Sequence, residues 1–229
     1  MRKASTYKSA EGALVQEYVT ISLENNRSNH MQIILSTRNP TKVEQIRELF
    51  IGNSIVVLNL SDVNILGQAD EDGTSLAENA MKKALFAYEH SGESCWTMAD
   101  DTGIFIDALN GEPGMYAARW AGEHKTTEEI LSYALTRLVG ENNRTAQFKT
   151  VVAVVSPTGA QYFFEGEVRG SMLETPRVAP QLKMPYSSLF VPDGYEKSWA
   201  EMTTEQENMI SHRGKAFRKV LEFLKIQNT

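Results

Sequence analysis

Three short polar stretches break into apolar runs of this chain, and each carries side chains able to hold a phosphate or a metal ion. The first, STRNPTK at residues 36–42, follows the apolar run MQIIL and leads into Val43, Ile46, Leu49 and Phe50, which fall on one helical face. Asn39 is a good N-cap and Pro40 suits the first helical position, so the turn presents backbone N–H groups that attract anions. Lys42 is the oddity there, because a cation in the first helical turn opposes the helix dipole unless an anion lies between them. The plain alternative is a capped helix followed by a solvated lysine.

The second stretch, ADDTG at residues 99–103, sets Asp100 and Asp101 side by side at the end of an apolar run, before a glycine free to take unusual backbone angles. Neighbours on a strand point to opposite faces, so one of the two is expected to face a given cleft. Carboxylates beside a packed strand are costly without compensation, which suits a divalent cation or proton transfer, although Asp at a strand end is also ordinary turn chemistry. In the third stretch Ser211, His212 and Arg213 are adjacent. Adjacency does not match a nucleophilic triad, whose members converge from separate places. Arg213 with His212 could grip a phosphate or a base edge, and a helix start capped by Ser211 is the competing reading.

These residues need elements to hold them. MQIIL reads as a strand, SIVVLNL (54–60) as a second, and residues 75–90 as a helix opened by a Ser75–Glu78 capping box and stopped by Gly92. CWTMA (95–99) reads as a third strand with Cys95 as a buried strand thiol, and GIFIDAL (103–109) as a fourth after a break at DDTG. A helix is predicted over 126–139, then a hairpin around Pro157-Thr158-Gly159, and a final amphipathic helix with Phe217, Val220, Leu221 and Leu224 on one face. Early strand–helix alternation followed by a hairpin predicts an α/β fold with a mixed, twisted sheet flanked by helices. Ligands in such sheets sit beyond strand C-terminal ends, which points to the turn at 37–42, the loop holding Glu71, and DDTG. Residues 1–30 look like an appendage, with EYVTISLE (17–24) as an added edge strand and NNRSNH (25–30) as a linker into a single catalytic domain over 31–229.

The chain has 229 residues, with 23 Lys and Arg against 29 Asp and Glu for a formal charge of -6, so it lacks the basic footprint of a nucleic-acid-tracking protein. Cys95 is the lone cysteine, which excludes an intrachain disulfide and an all-cysteine metal site. No apolar run approaches the roughly 20 residues of a membrane span, and the N-terminus lacks the apolar core of a secretory signal. A cytoplasmic protein with neither a membrane nor a nucleic acid as partner is expected.

The polar stretches occur together and in order within STRNPTKVEQI (36–46), EDGTSLAENAMKKA (71–84), ADDTGIFIDALNGEPGMYAARWAG (99–122), FFEGEVRG (163–170), LFVPDG (189–194) and AEMTTEQENMISHRGKA (200–216). In these segments the chain resembles the Ham1-like inosine triphosphate pyrophosphatases, a family of non-standard purine nucleoside triphosphate diphosphatases, from about residue 31 to 224. The resemblance implies a two-lobed fold around a central cleft, usually as a homodimer, that cleaves ITP, dITP and XTP between the α and β phosphates with Mg2+. It implies that Thr37, Asn39, Lys42 and Lys83 hold the triphosphate. Glu71 and Asp101 match the metal-binding glutamate and the aspartate that activates water and helps hold the metal, with Asp100 as its acidic neighbour. Ser211, His212 and Arg213 would belong to the base pocket, Arg213 donating to a purine 6-oxo group.

Two departures lie on the base side. KMPYSS (183–188) stands where the family has a Gly-Phe-Gly-Tyr-Asp-Pro segment, so Tyr186 is kept and Met184 replaces the stacking aromatic. Glu207 stands where the family has a lysine, and a carboxylate cannot donate to a 6-oxo group unless protonated. Lys183 is a candidate to supply the missing cation. An active diphosphatase with shifted base preference is the leading expectation. The alternatives are a weakened nucleotide-binding or protein-interaction module, and a pyrophosphatase for modified pyrimidine nucleotides, whose signature is crudely echoed by Ser36 and Arg38.

Overall fold

A computed structural model describes residues 30–228. The edge strand expected at 17–24 lies outside the described residues, as does all but the last residue of the linker. Strand β1 (Met31–Leu35) pairs in parallel with β2 (Ile55–Asn59) on one side and with the start of β3 (Trp96–Ile106) on the other. From β3 onward the sheet is antiparallel: β3 pairs with the two-residue β4 (Pro113–Gly114) and with β5 (Thr145–Val155), β5 with β6 (Gln161–Met172), and β6 with β7 (Phe190–Pro192). The main path runs β2-β1-β3-β5-β6-β7, a mixed sheet as the sequence predicts.

Helix α1 (Pro40–Phe50) is capped by Asn39, whose side chain accepts from the Thr41 and Lys42 backbone, and it buries Val43, Ile46 and Phe50. Helix α2 (Leu76–His90) follows β2. Its cap departs from the expected box: Ser75 accepts from the Glu78 N–H, but the Glu78 carboxylate returns to Thr74 rather than to Ser75. Helix α3 (Thr127–Arg137) carries a complete capping box between Thr126 and Glu129. Helices α4 (Thr204–Ile210) and α5 (His212–Gln227) share Ser211 at their junction, and α5 buries Phe217, Val220, Leu221 and Leu224 on one face as predicted.

Two expectations are corrected here. DDTG is no break: residues 96–106 form one continuous strand. Gly103 is needed for contact, because a Cβ there would lie 2.8 Å from the Gly114 carbonyl oxygen of the neighbouring β4. Cys95 is half-buried and precedes the strand, since the chain is still bending out of α2 at that point.

The long strands β3 and β5 run through two apolar cores. Met98, Val152 and Val154 join α1 and α5 in one, while Ile104, Ile106, Ala146 and Phe148 join α3, Phe190 and Trp199 in the other. Between them the strands turn polar, at Asp100, Asp101 and Thr102 on β3 and at Thr150 on β5. Burial of apolar area holds both ends of each strand at roughly 25 cal/mol per Å², so the polar middle is fixed by its flanks. No helix among the described residues is long and apolar enough to cross a membrane.

Candidate active site

The polar middle of β3 opens into a cavity of about 400 Å³. The turn from β1 into α1 forms one wall, where Thr37 Oγ1 accepts from the Asn39 N–H (3.2 Å) and Asn39 caps the helix. Lys42 reaches from this turn to both carboxylate oxygens of Asp100, at 2.9 and 3.0 Å. Asp100 is thus the anion that offsets the helix dipole at Lys42. Arg213 approaches the same carboxylate from α5, with Nε 3.4 Å from Oδ2. Burial alone would raise the Asp100 pKa, but Lys42 and Arg213 together hold it far below the ordinary aspartate value. Burial lowers the Lys42 pKa, with Asp100 opposing.

Asp101 faces a second cation. Lys83, on α2, lies 2.8 Å from Asp101 Oδ1 and 3.5 Å from Glu71 Oε1, so one ammonium joins two carboxylates brought from different elements. Burial raises the Asp101 pKa despite Lys83. For Lys83 the two carboxylates overcome the lowering effect of burial and raise it. The single-face expectation for the paired aspartates is too strict, because both line this one cavity. Glu71 and Asp101 supply hard oxygen donors that converge on one point, the chemistry a small divalent cation takes together with phosphate and water oxygens.

The far end of the cavity is enclosed by aromatic and polar side chains. His212 stacks on Phe148 with ring centroids 4.7 Å apart, and Trp199 lies beyond it at 6.3 Å. Burial holds the His212 pKa well below its ordinary value, so the ring is neutral. Met184 and Tyr186 line the cavity, and Tyr186 is anchored by donating its hydroxyl to the Ala117 carbonyl at 2.9 Å. Glu207 is 5 % exposed and accepts from the side-chain amides of Gln45 (2.9 Å) and Gln181 (3.4 Å). Lys183 lines the cavity but is exposed, and amides rather than Lys183 meet the Glu207 carboxylate.

One candidate base residue stands apart. Ser211 is fully buried and does not line the cavity; its hydroxyl accepts from the Gly214 N–H at 3.0 Å and caps α5, which is the competing reading of that position. Several residues were missed. Asn79 donates to Asp101 Oδ2 (3.4 Å) and accepts from the Gly73 N–H (2.8 Å), tying the loop of Glu71 to β3. Arg119 donates to the Glu71 carbonyl at 3.2 Å. Gln45 relays between Arg213 (2.8 Å) and Glu207. Asn79 and Gln45 are polar residues on the buried faces of amphipathic helices, a signal visible in the sequence once those faces are drawn.

The chain is similar to known proteins over most of its length. A model of the Ham1 family matches residues 33–223. A dITP/XTP pyrophosphatase of Christiangramia forsetii is 39% identical over 194 residues, covering 85% of this chain and 99% of that protein. Among solved structures, a HAM1 protein from Coxiella burnetii superposes with a TM-score of 0.75 at 28% identity, covering 85% of this chain and 98% of that one. The Staphylococcus aureus Ham1 protein gives 0.73 at 29% identity, covering 86% of this chain and 99% of that one.

Proposed function

Because the chain belongs to the Ham1 family, we propose that it hydrolyses non-standard purine nucleoside triphosphates to the monophosphate and pyrophosphate. The observation that carries this reading is the bridge of Lys83 between Glu71 and Asp101, beside the Lys42–Asp100 pair, at one end of a cavity whose other end is aromatic. In this reading Lys42 and Lys83, with Thr37 and Asn39, hold the polyphosphate. Glu71 and Asp101 hold Mg2+, which would neutralise phosphate oxygens in the transition state. Asp101 orients and deprotonates the water that attacks the innermost phosphorus in line, the bond to the bridging oxygen breaks, and pyrophosphate leaves. Such chemistry relies on positioning and charge compensation without a covalent nucleophile. Met184, Tyr186, Glu207, His212 and Arg213 form the base pocket, with Ser211 acting through the helix it caps.

Residues 31–229 act as one catalytic unit of two lobes around the cleft, working in the cytoplasm as a homodimer; light scattering at twice 25.6 kDa tests the last point. The decisive assay is pyrophosphate release from ITP, dITP, XTP, dUTP, GTP and ATP with Mg2+, beside Asp101→Asn. Purine turnover is expected, falling at least about 100-fold in the variant and vanishing on chelation. Binding without turnover of any triphosphate would favour a nucleotide-binding module, and turnover confined to dUTP a pyrimidine enzyme.

A further inference from the structure

The cavity holds six cationic side chains, Arg38, Lys42, Lys83, Arg119, Lys183 and Arg213, against four carboxylates, Glu71, Asp100, Asp101 and Glu207, in a chain of formal charge -6. Five of the six cations are already engaged. Lys42 and Arg213 share Asp100, and Lys83 joins Asp101 to Glu71. Arg38 donates to the Ile65 and Gly67 carbonyls at 2.7 and 2.9 Å, and Arg119 to the Glu71 carbonyl. Lys183 stands exposed on the cavity lining and has no hydrogen bond or ion pair among the described residues. The base wall makes no claim on it, because the amides of Gln45 and Gln181 already meet both Glu207 oxygens.

The Lys183 backbone is held where few side chains go. Its φ is +58°, in the left-handed region that glycine enters freely and lysine enters at a steric cost. The surroundings enforce this. The Met184 N–H donates to the Gln181 carbonyl at 3.0 Å, closing a four-residue turn, and the Ser187 hydroxyl accepts from the Gln181 N–H (2.8 Å) and donates to the Met184 carbonyl (2.7 Å). The turn spans the two ends of the cavity: Gln181 donates to Glu207 on the base side, while the Leu182 carbonyl accepts from Thr41 Oγ1 at 3.3 Å, in the first turn of α1. Lys183 is thereby pinned next to the anion-attracting start of α1. Strain kept at a ligand cavity, on a side chain whose charge no described residue neutralises, marks a contact made with the ligand. On the reading that this cavity receives a nucleoside triphosphate, we propose that Lys183 is a substrate-binding residue whose ammonium donates to phosphate oxygens, joining Lys42 and Lys83 as a third lysine on the polyphosphate.

The test is steady-state kinetics and calorimetry on the full chain. Lys183→Asn removes the charge, and asparagine is among the residues that accept a left-handed backbone, so the turn is kept. KM for ITP, dITP and XTP should rise together by about three- to tenfold with kcat held, the range from an exposed ion pair to one charge-assisted hydrogen bond. The gap should narrow as salt rises, because the group is exposed. Lys183→Arg, which keeps the charge, should restore most of the loss. A KM untouched by Lys183→Asn overturns the proposal, as does a rise confined to one base, which would set Lys183 against the purine instead. On an Asp101→Asn background, where cleavage is suppressed, calorimetry reads the affinity for ITP without turnover. Weaker binding there on adding Lys183→Asn upholds the phosphate contact even if the wild type cleaves no triphosphate, in which case the hydrolytic reading alone fails; equal binding overturns the contact.

Discussion

At the scale of single residues, Lys83 carries the heaviest electrostatic burden. Its ammonium stands between Glu71 and Asp101, and its position on a helix fixes where both carboxylates meet. Substituting Lys83→Met removes the cation while keeping the stem's volume, and leaves Asp101 buried against Asn79 alone. Charge-assisted hydrogen bonds contribute about 1.5–3 kcal/mol, so kcat/KM for ITP should fall by roughly 10- to 100-fold. Steady-state kinetics beside a thermal melt separate this loss from unfolding; retained activity would show that the polyphosphate does not lie against Lys83. Lys42 differs in that it shares a single carboxylate, Asp100, with Arg213.

At the scale of elements, the site depends on how closely α5 lies on the sheet. A Cβ added to Gly166 on β6 would lie 2.0 Å from the His212 carbonyl oxygen and 2.7 Å from the Ala216 nitrogen. The start of α5 is held in the same way from its other side, where a Cβ on Gly214 would meet the Asn208 carbonyl oxygen at 2.0 Å. Both close approaches fix the end of the helix that bears His212 and Arg213. Gly166→Ala should therefore push the helix off the strand, costing about 1–3 kcal/mol of stability and lowering the melting temperature by several degrees. It should also raise KM for the nucleotide. A melt followed by circular dichroism, together with KM measured on the folded fraction, reads both effects.

At the scale of the whole molecule, His212 couples stability to pH. It sits beside the second core, against Phe148 and near Trp199, and burial, aided by Arg213, holds it neutral well below the ordinary histidine value. The unfolded chain takes up a proton at this residue near pH 6.5 while the folded chain does not, so stability falls as pH drops below that value. Each unit costs about 1.4 kcal/mol per proton until the folded form also binds it. Urea unfolding at pH 7.5, 6.5 and 5.5 should show this slope, and His212→Phe, which preserves the ring stack, should flatten it. An unchanged slope would mean that another group governs stability in this window. Asp100 contributes in the same direction only at much lower pH, where the unfolded carboxyl protonates near its ordinary value while the folded one, held far below it, does not.

The elements and the helix-capping turn at the candidate site were legible because their signals are local. Asn39 and Pro40 cap a helix through neighbouring atoms, the apolar positions of α1 and α5 repeat with helical spacing, and Pro157-Thr158-Gly159 marks a hairpin. Continuity of β3 was hidden, since Asp and Gly inside a strand resemble a break until β4 packs against Gly103 and Lys42 and Lys83 neutralise the aspartates. Which amide meets Glu207 was likewise beyond local reading. Gln45, Gln181 and Glu207 come from three distant parts of the chain, and their pairing is set by the packing of α1 and α4 beside the cavity wall. Sequence determined which side chains are available for the chemistry; tertiary structure decided which charges neutralise one another, because burial makes each pairing depend on partners that only folding brings within a few ångströms.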